Sequence, residues 1–401
     1  MRIAFLTPEF VTEMDNRGGL ANYLNRMSQA LVERGHHVEV FTLSDHEGRL
    51  DHGGVTVHRV PWPTRGLPFR ALTRIAGHLR LYAGIPPARL AYSARRVAAA
   101  FHARDAAAPF DIVQSSDFNA VGLFVRPDPR RTHLVRCSWA ADHFMRVDGV
   151  HQNRSERWKA ALERAAIRRA DVAYAPSQFV ADYYRETFGY DVGVIRPPVL
   201  VEVEAASEPP DALPDRYLLH FGSLRVRKGT DVLAKALPLA WREAPDLAMV
   251  WAGGADPAEM ERWQALWGER VGQVHWINGL AKPHLYAVLQ RAVATVLPTR
   301  ADNLPNTVIE SLLFGVPVVG SDGASVDELV RDGIDGALVP IGDADVLAQA
   351  LVRAWHGELP RPTLDKHPVL SSAMTPDAAV DAFLRAAGHA TTVLRQPAPT
   401  R

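Results

Sequence analysis

The sequence predicts an α/β protein with two doubly wound domains. Strand-like apolar runs alternate with helix-like patterns almost throughout, which is typical of a mainly parallel sheet. A proline-rich stretch at 197–215 shows no helical period and reads as a linker. The 401 residues suffice for two or three ordinary domains. We therefore expect one domain over 1–200 and a second over 201–375.

The first domain opens with a strand and an amphipathic helix. Residues 2–8, RIAFLTP, form a short apolar run, and residues 20–34 carry apolar side chains at helical spacing up to Gly35, which stops the helix. A further helix is predicted over 153–169. The other predicted strands of this domain are 36–43, 111–116, 133–138 and 171–177.

The second domain repeats the alternation. Its predicted strands are 217–223, 247–253, 273–279, 294–299 and 317–322. The chain beyond 343 is predicted to be helical, with a proline-rich break near 360–368 and a last helix near 376–388 that packs back on the first domain. Two Rossmann-like domains facing each other across a cleft offer a common place for a ligand.

Composition excludes several classes of protein. The formal net charge is zero, so no global charge favours nucleic acid. The single cysteine, Cys137, excludes an internal disulfide and is typical of a reducing cytoplasm. The apolar start is broken by Pro8 and Glu9, which indicates a strand rather than a signal peptide. No apolar run approaches the roughly 18–20 residues that cross a bilayer, so we expect a soluble cytoplasmic protein.

The most informative stretch is 297–320, LPTRADNLPNTVIESLLFGVPVVG. It reads as a strand end, a polar loop with Asp302, a short helix with Glu310 and a second strand. Ligands of open parallel sheets bind outside the carboxyl ends of the strands. There a helix start offers N–H groups to an anion, and carboxylates can bind sugar hydroxyls. Because Pro305 has no N–H, the backbone donors would be its neighbours. These are Asn303, Leu304, Asn306 and Thr307.

Two glycine motifs support a phosphate ligand. Gly18 and Gly19 precede the first helix, where glycine lets the backbone approach an anion, although such a pair is often only a turn. In the stretch 221–237, FGSLRVRKGTDVLAKAL, Lys228 and Gly229 stand just before another helix. A lysine there could meet a diphosphate, and the alternative is a solvated basic loop.

Together these residues resemble the GT-B glycosyltransferases of family 4, which are retaining enzymes that use nucleotide sugars. The resemblance covers nearly the whole chain. Its most specific motifs are FGSLRVRKG, VHWING and LPTRADNLPNTVIESLLFGVPVVGSD. The stretch DGIDGALVP, after Glu328, also matches.

The resemblance implies a role for each matched residue. Glu310 would be the second acid of an acid-x7-acid motif and bind the nucleotide ribose. Asp302 would be the first acid and contact hydroxyls of the donor hexose. Lys228 would bind the diphosphate leaving group.

Further roles follow from the same resemblance. Gly279 and Leu280 would lie against the nucleobase, and Gly19, next to Gly18, would lie beside the diphosphate and sugar. The donor would be a UDP- or GDP-sugar, with no cofactor and no metal, because cations and backbone dipoles would stabilise the departing diphosphate.

The chain departs from the family in the second domain. Asp302 replaces the usual glutamate and is one methylene shorter. Ser223 replaces a frequent arginine, whose charge Arg225 or Arg227 would supply. Ala324-Ser325 stands where a Gly-Gly pair is usual.

A fourth departure concerns catalysis. Many members carry a histidine at the end of a strand in the first domain, and Ser138 occupies that place. His143, five residues on, could replace it if its loop folds back. In the implied reaction an acceptor hydroxyl attacks the anomeric carbon with retention, and the leaving diphosphate can itself take the proton.

An arginine-rich segment has no acidic residue between His52 and Arg104. Within it, 69–82 reads as a basic amphipathic helix. The arginines, at 59, 65, 70, 74, 80, 89, 95, 96 and 104, indicate a solvated face, a soluble anionic acceptor, or peripheral contact of segment 59–104 with the inner face of the membrane.

The leading hypothesis is therefore a retaining hexosyltransferase with a glycan, a lipid-linked or a small-molecule acceptor. A sugar-nucleotide epimerase of the same fold is a second hypothesis. The third is a non-catalytic homologue that binds a sugar nucleotide, motivated by Ser138 in the place of the histidine.

Overall fold

A computed structural model describes the chain at residues 1–13, 18–62, 84–138, 140–199 and 213–394. The described chain folds into two compact units. Unit 1 contains the described residues of Met1–Arg146, Val150–Leu200 and Met374–Arg401. Unit 2 contains those of Val147–Gly149 and Val201–Ala373.

The strands of both units are short and mostly buried. In unit 1 they are β1 (Arg2–Thr7), β2 (His37–Ser44), β3 (Gly48–His52), β4 (Val55–Pro61), β5 (Ile112–Ser116), β6 (Thr132–Arg136), β7 (Val172–Ala175) and β8 (Val192–Val194). In unit 2 they are β9 (Leu218–Phe221), β10 (Met249–Ala252), β11 (Val274–Ile277), β12 (Thr295–Leu297), β13 (Val318–Asp322) and β14 (Gly336–Pro340).

Helices connect most successive strands. The α-helices are α1 (Gly19–Glu33), α2 (Ile85–Ala107), α3 (Ala141–Val147), α4 (Arg154–Ile167), α5 (Gln178–Phe188), α6 (Thr230–Glu243), α7 (Pro257–Trp267), α8 (Lys282–Arg291), α9 (Asn306–Leu313), α10 (Ala344–Trp355) and α11 (Pro376–Leu394).

The sheet of unit 1 has the order β3-β4-β2-β1-β5-β6-β7-β8, and only the β3–β4 pair is antiparallel among the described strands. The order reverses between β1 and β5, so ligand contacts are expected where these two strands end. Helix α11 belongs to this unit: Phe383 stacks on Phe5 of β1 at 6.1 Å, and Arg34, directly after α1, pairs with Asp377 and Asp381.

The sheet of unit 2 has the order β11-β10-β9-β12-β13-β14, and all its described pairs are parallel. The strand order of this sheet reverses between β9 and β12. Helices α6, α7 and α10 cover one face of this sheet. The apolar cluster that they form with its strands includes Trp241, Trp251 and Leu351. The prediction of two doubly wound α/β domains is confirmed.

Several parts of unit 1 escaped prediction, among them helices α3 and α5, strand β8 and the two parts described next. Strands β3 and β4 form a hairpin whose turn, Gly53-Gly54, has φ of 61° and 80°. A Gly-Gly pair in that conformation is a typical two-residue hairpin turn. Helix α2 forms the C-terminal part of the arginine-rich segment, where no helix was predicted. The predicted helix 69–82 lies outside the described residues.

Several of the nine arginines have structural partners. Arg59 pairs with Glu13 (2.8 Å), Arg96 donates to the carbonyl of Pro61 (2.9 Å), and Arg104 holds Glu39 with two hydrogen bonds of 2.9 Å. Part of the positive charge of the segment is therefore engaged by partners within unit 1. Among the described residues, no helix is both long and apolar enough to span a membrane.

Candidate active site

The basic loop, residues 222–229, leaves β9 at the reversal of the second sheet and leads into α6. Gly229 has φ of 72° and caps this helix. A Cβ at this position would lie 1.7 Å from the carbonyl oxygen of Pro298. Only glycine fits there, because the backbone of the basic loop touches the start of the loop after β12.

The acid loop, residues 298–305, follows β12 and carries Asp302. The Asp302 carboxylate accepts a hydrogen bond from the N–H of Asn303 at 2.8 Å. It also forms an ion pair with Nζ of Lys228. Side-chain exposures of 16% for Lys228 and 11% for Asp302 leave both groups within reach of a ligand. The reversal of strand order thus brings together two residues that the sequence predicted to bind one donor.

Helix α9 begins next to this pair, at Asn306. Its N-cap is Pro305, no side chain caps it, and its first turn holds no acidic residue. The Oγ1 of Thr307 is buried and has no hydrogen-bond partner among the described residues. Such an uncapped N-terminus attracts an anion through its N–H groups and dipole.

Glu310 lies on α9, off its buried stripe. Val308, Ile309 and Leu312 form that stripe and are buried, while Leu313 keeps partial exposure. The Glu310 carboxylate is half-buried and accepts a hydrogen bond from the hydroxyl of Tyr286 at 3.3 Å. It is therefore oriented rather than freely solvated, as a ribose-binding acid needs to be.

The predicted nucleobase contacts follow the edge strand β11. Gly279 is exposed with φ of 74°, and a Cβ there would meet nothing within 4 Å. Leu280 is half-buried and packs against the cluster that includes Tyr286. Glycine therefore allows the left-handed backbone at position 279, and the space beside this residue is open to a ligand.

The structure separates the two candidates for the positive charge that Ser223 lacks, Arg225 and Arg227. Ser223 and Arg225 are exposed, and no hydrogen bond or ion pair of either side chain occurs among the described residues. Arg227 instead donates to the carbonyl of Ala301 at 3.3 Å and pairs at 3.4 Å with Asp148, which belongs to unit 2. Arg225 is thus more available to a phosphate than Arg227.

At the N-terminus of α1, Gly18 lies beside an acid that the sequence analysis did not single out for binding. Glu9 Oε1 accepts a hydrogen bond from the N–H of Ala21 at 3.2 Å. A Cβ on Gly18 would lie 3.0 Å from the same oxygen, so glycine makes room for Glu9. Burial raises the pKa of Glu9, and the bond from Ala21 opposes that rise. Gly19 is exposed at the helix start.

Ser138 follows β6, beside the end of β5, where it meets Asp117. Its N–H and hydroxyl donate to Asp117 Oδ1 at 3.0 Å and 3.4 Å. The hydroxyl of Tyr184 donates to the other carboxylate oxygen at 2.9 Å. Asp117 is fully buried, so this network orients Ser138, which keeps 7% exposure.

His143 lies on helix α3 and not in a loop, contrary to the expectation on which its catalytic role depended. Its ring packs against Phe144, Phe179 and Tyr183, at 4.9–5.9 Å between centroids. The helix and these aromatic contacts fix its position, so a loop that folds back is not available to move it.

A second buried acid supports the turn after β5. Glu163 Oε1, on α4, accepts a hydrogen bond from the N–H of Asn119 at 3.1 Å. Asn119 and Ala120 have φ of 58° and 49°, which costs energy in residues other than glycine. Burial, with the nearby charge of Asp117, raises the pKa of Glu163 to about 8.

The turn that replaces the family's Gly-Gly pair is also left-handed. Ala324 and Ser325 are buried and have φ of 54° and 65°. The Ser325 hydroxyl donates to the carbonyl oxygen of Asp302 at 3.2 Å. The chain keeps the glycine-like backbone without glycine and adds a hydrogen bond to the acid loop.

Sequence reasoning did not single out three residues of these loops: Glu9, Asp117 and Arg300. Each lies within four residues of a strand's carboxyl end, which is the general signal that could have identified them. Their partners lie on other elements of the fold, and single-sequence patterns do not reveal such pairings.

Two family models match the chain, one in each half. The model described as "Glycosyl transferase 4-like domain" matches residues 18–198, and that described as "Glycosyl transferases group 1" matches 215–356. Together they span most of the sequence. The chain belongs to the GT-B glycosyltransferases of the family 4 type, as the motifs predicted.

Two curated relatives illustrate the breadth of this class. A GDP-mannose-dependent alpha-(1-6)-phosphatidylinositol monomannoside mannosyltransferase of Mycolicibacterium smegmatis is 27% identical over 47% of this chain and 55% of its own length. The chain thus spans about half of that relative. Glycogen synthase of Mycobacterium tuberculosis is 25% identical over 83% of this chain and 81% of its own length.

Solved structures show the same fold. Sucrose-phosphate synthase from Thermosynechococcus elongatus matches with a TM-score of 0.67 and 19% identity, covering 98% of both chains. The Anabaena HepE protein, in complex with UDP and glucose, matches with a TM-score of 0.64 and 16% identity, covering 97% of this chain and all of its own. Their identity is low, so they establish architecture and not substrate.

Proposed function

We propose that this glycosyltransferase is a retaining hexosyltransferase that uses a UDP- or GDP-sugar. The observation that carries the proposal is the Lys228–Asp302 ion pair, which lies at the strand reversal of unit 2 beside the uncapped N-terminus of α9. A cation and a helix N-terminus suit a diphosphate, and a carboxylate suits sugar hydroxyls. These three groups match the central part of a nucleotide sugar.

Each group then has a chemical role. Lys228 and the N–H groups at the start of α9 bind the diphosphate. Asp302 binds hydroxyls of the hexose, and Glu310, held by Tyr286, binds those of the ribose. The open backbone turn at Gly279 faces the nucleobase, which fits recognition through backbone rather than side-chain groups.

The reaction breaks the bond between the anomeric carbon and the diphosphate oxygen and forms one to the acceptor oxygen on the same face. The acceptor hydroxyl gives its proton to the leaving diphosphate. Lys228 and the helix N-terminus stabilise the charge that develops there, and removal of one such group typically costs about 100- to 1000-fold in kcat. This arrangement requires neither a metal nor a cofactor.

The acceptor is a glycan, a lipid-linked sugar or a small molecule. The names of the relatives support transfer to such acceptors, since one is a phosphatidylinositol mannoside mannosyltransferase and another a glycogen synthase. Peripheral membrane contact through segment 59–104 is part of the proposal for a lipid-linked acceptor. Flotation with anionic lipid vesicles tests it, and a protein that stays at the bottom of the gradient excludes it.

The deciding experiment has two stages. A thermal-shift panel of UDP, GDP and ADP identifies the nucleotide, because a ligand bound by the native state raises its Tm. The matching hexose donors are then incubated with and without acceptors in EDTA, and NMR reads the anomeric configuration of the product. An epimerised donor would identify an epimerase. Tight nucleotide binding without turnover would identify a non-catalytic homologue.

A further inference from the structure

Arg300 connects the two loops that carry Lys228 and Asp302. It lies two residues before Asp302, yet its side chain reaches the basic loop and the first turn of α6. Nη1 donates to the carbonyl of Val226 at 2.6 Å. The two terminal nitrogens bind the two carboxylate oxygens of Asp231 at 2.5 Å and 2.8 Å. This is the bidentate geometry that favours arginine over lysine.

The backbone around Arg300 reinforces the connection. Its N–H donates to the carbonyl of Arg227 at 2.8 Å, and the Thr299 hydroxyl donates to the same oxygen at 2.9 Å. Pro298 is in contact with Gly229 on the other side of Lys228. The residues that flank Lys228 are therefore fixed to the residues that precede Asp302.

This connection matters most when a donor is bound. Lys228 and Asp302 pair with each other in the structure, but under the proposed function one must bind diphosphate and the other sugar hydroxyls. Their direct attraction is then lost. The Arg300–Asp231 pair lies outside the donor groups and persists, so it can hold the two loops at a fixed separation.

We propose that Arg300 is a positioning residue, which with Asp231 clamps the basic loop to the acid loop and sets the distance between Lys228 and Asp302. The expected effect of Arg300 on turnover rests on the proposed function. The structural part of the inference, the clamp itself, can be tested without turnover.

The activity test compares Arg300→Ala and Arg300→Lys with wild type. A displacement of about 1 Å in a catalytic group can cost on the order of 100-fold, so we expect kcat/KM to fall about 10- to 100-fold in R300A. R300K keeps the charge but cannot form both bonds, and we expect it to recover only part of the loss. Asp231→Asn should resemble R300A.

Arg331→Ala is the matched control. Arg331 forms a comparable pair with Asp335 in the same unit, and Asp335 is fully buried, so its loss should lower Tm at least as much as R300A. We expect kcat/KM of R331A to stay within about threefold of wild type. Equal losses of kcat/KM in R331A and R300A would overturn the inference, because both would then follow from lower stability.

The second test measures the coupling between Lys228 and Asp302 from unfolding midpoints of Lys228→Ala, Asp302→Asn and the double variant. The cycle is repeated in the R300A background. We expect the coupling to fall to less than half without Arg300. Unchanged coupling would overturn the clamp even if the wild type proved inactive. If the wild type is inactive but R300A reduces the coupling between Lys228 and Asp302, the proposed function is refuted and the clamp is still supported.

Discussion

Nζ of Lys228 is paired with the carboxylate of Asp302, 74 positions away in the sequence. The two residues follow β9 and β12, the neighbouring strands at which the order of the second sheet reverses. Because each is the partner of the other, a ligand that takes Lys228 must compete with Asp302. The proposed donor site therefore contains two charged groups, and a ligand must compete with one of them for the other.

Asp302→Asn should separate binding from catalysis. Without the competing carboxylate, Lys228 becomes more available to a diphosphate, and a partly exposed ion pair is worth up to about 1 kcal/mol. We expect the Kd for UDP or GDP, whichever binds, to fall up to about fivefold, while sugar transfer drops by 100-fold or more. Isothermal titration calorimetry and a transfer assay measure the two effects. Weaker nucleotide binding by D302N would contradict the competition.

Arg225 and Arg227 should differ as diphosphate ligands. Arg225 is exposed, whereas the guanidinium of Arg227 is engaged by Ala301 and Asp148. We expect Arg225→Ala to weaken nucleotide binding about tenfold with an unchanged Tm, since a charged hydrogen bond contributes roughly 1.5–3 kcal/mol. Arg227→Ala should mainly lower Tm. If calorimetry instead shows weaker nucleotide binding in R227A, and thermal unfolding shows a lower Tm in R225A, Arg227 is the phosphate ligand.

Ala324→Gly should stabilise the protein. A left-handed conformation costs a residue with a Cβ about 1–2 kcal/mol, and glycine avoids this cost. Glycine also makes the unfolded chain more flexible, which offsets roughly 0.5–1 kcal/mol of the gain. The expected gain is up to about 1 kcal/mol in the free energy of unfolding, measured by urea titration. Ala265→Gly, at an exposed position inside α7, is the control and should destabilise by about 0.5–1 kcal/mol. Equal losses in both variants would show that φ at Ala324 carries no strain.

Much of the fold could be predicted because its signals are local. The first strand, the helix ending before Gly35 and the strand series of unit 2 follow from apolar periodicity and glycine stops. The β3–β4 hairpin was missed although Gly53-Gly54 marks its turn. Its strands alternate weakly, and β3 carries Arg49 and Asp51 on a largely exposed edge.

The candidate site was predicted less completely, for a different reason. Lys228, Asp302 and Glu310 were found because motif spacing places them at strand and helix ends. Their partners could not be found, since Arg300 could pair with any of several acids and the choice of Asp231 depends on the packing of two loops. The role of Gly18 in accommodating Glu9 likewise depends on a contact across a loop.

Glu163 should make unit 1 less stable as pH rises. Burial, followed by the charge of Asp117, raises its pKa from about 4.5 to about 8. The folded state thus binds its proton more tightly than the unfolded state does. The resulting stabilisation is fully present below about pH 4.5 and is lost as pH rises through about 8. Each unit of pKa difference corresponds to about 1.4 kcal/mol, so the full loss is on the order of several kcal/mol.

Glu163→Gln tests this dependence, because glutamine resembles the protonated acid and can still accept the hydrogen bond from Asn119. We expect E163Q to unfold at a higher urea concentration than wild type at pH 8–9, with little difference at pH 4. Hydrogen exchange of peptides that contain β5 and β6 localises the effect to unit 1. Equal stability of the two proteins at pH 9 would show that folding does not raise the pKa of Glu163.

Glu39→Gln provides the opposite case in the same unit. Burial alone would raise the pKa of Glu39, but hydrogen bonds from Arg104, His58 and His37 outweigh it and lower the pKa to about 2. Its contribution to stability is therefore present above about pH 4.5 and is lost as pH falls through about 2. E39Q should be less stable than wild type at pH 7, and the difference should shrink in acid. If both variants showed the same pH trend in urea unfolding, a global charge effect would explain them better than these two buried acids.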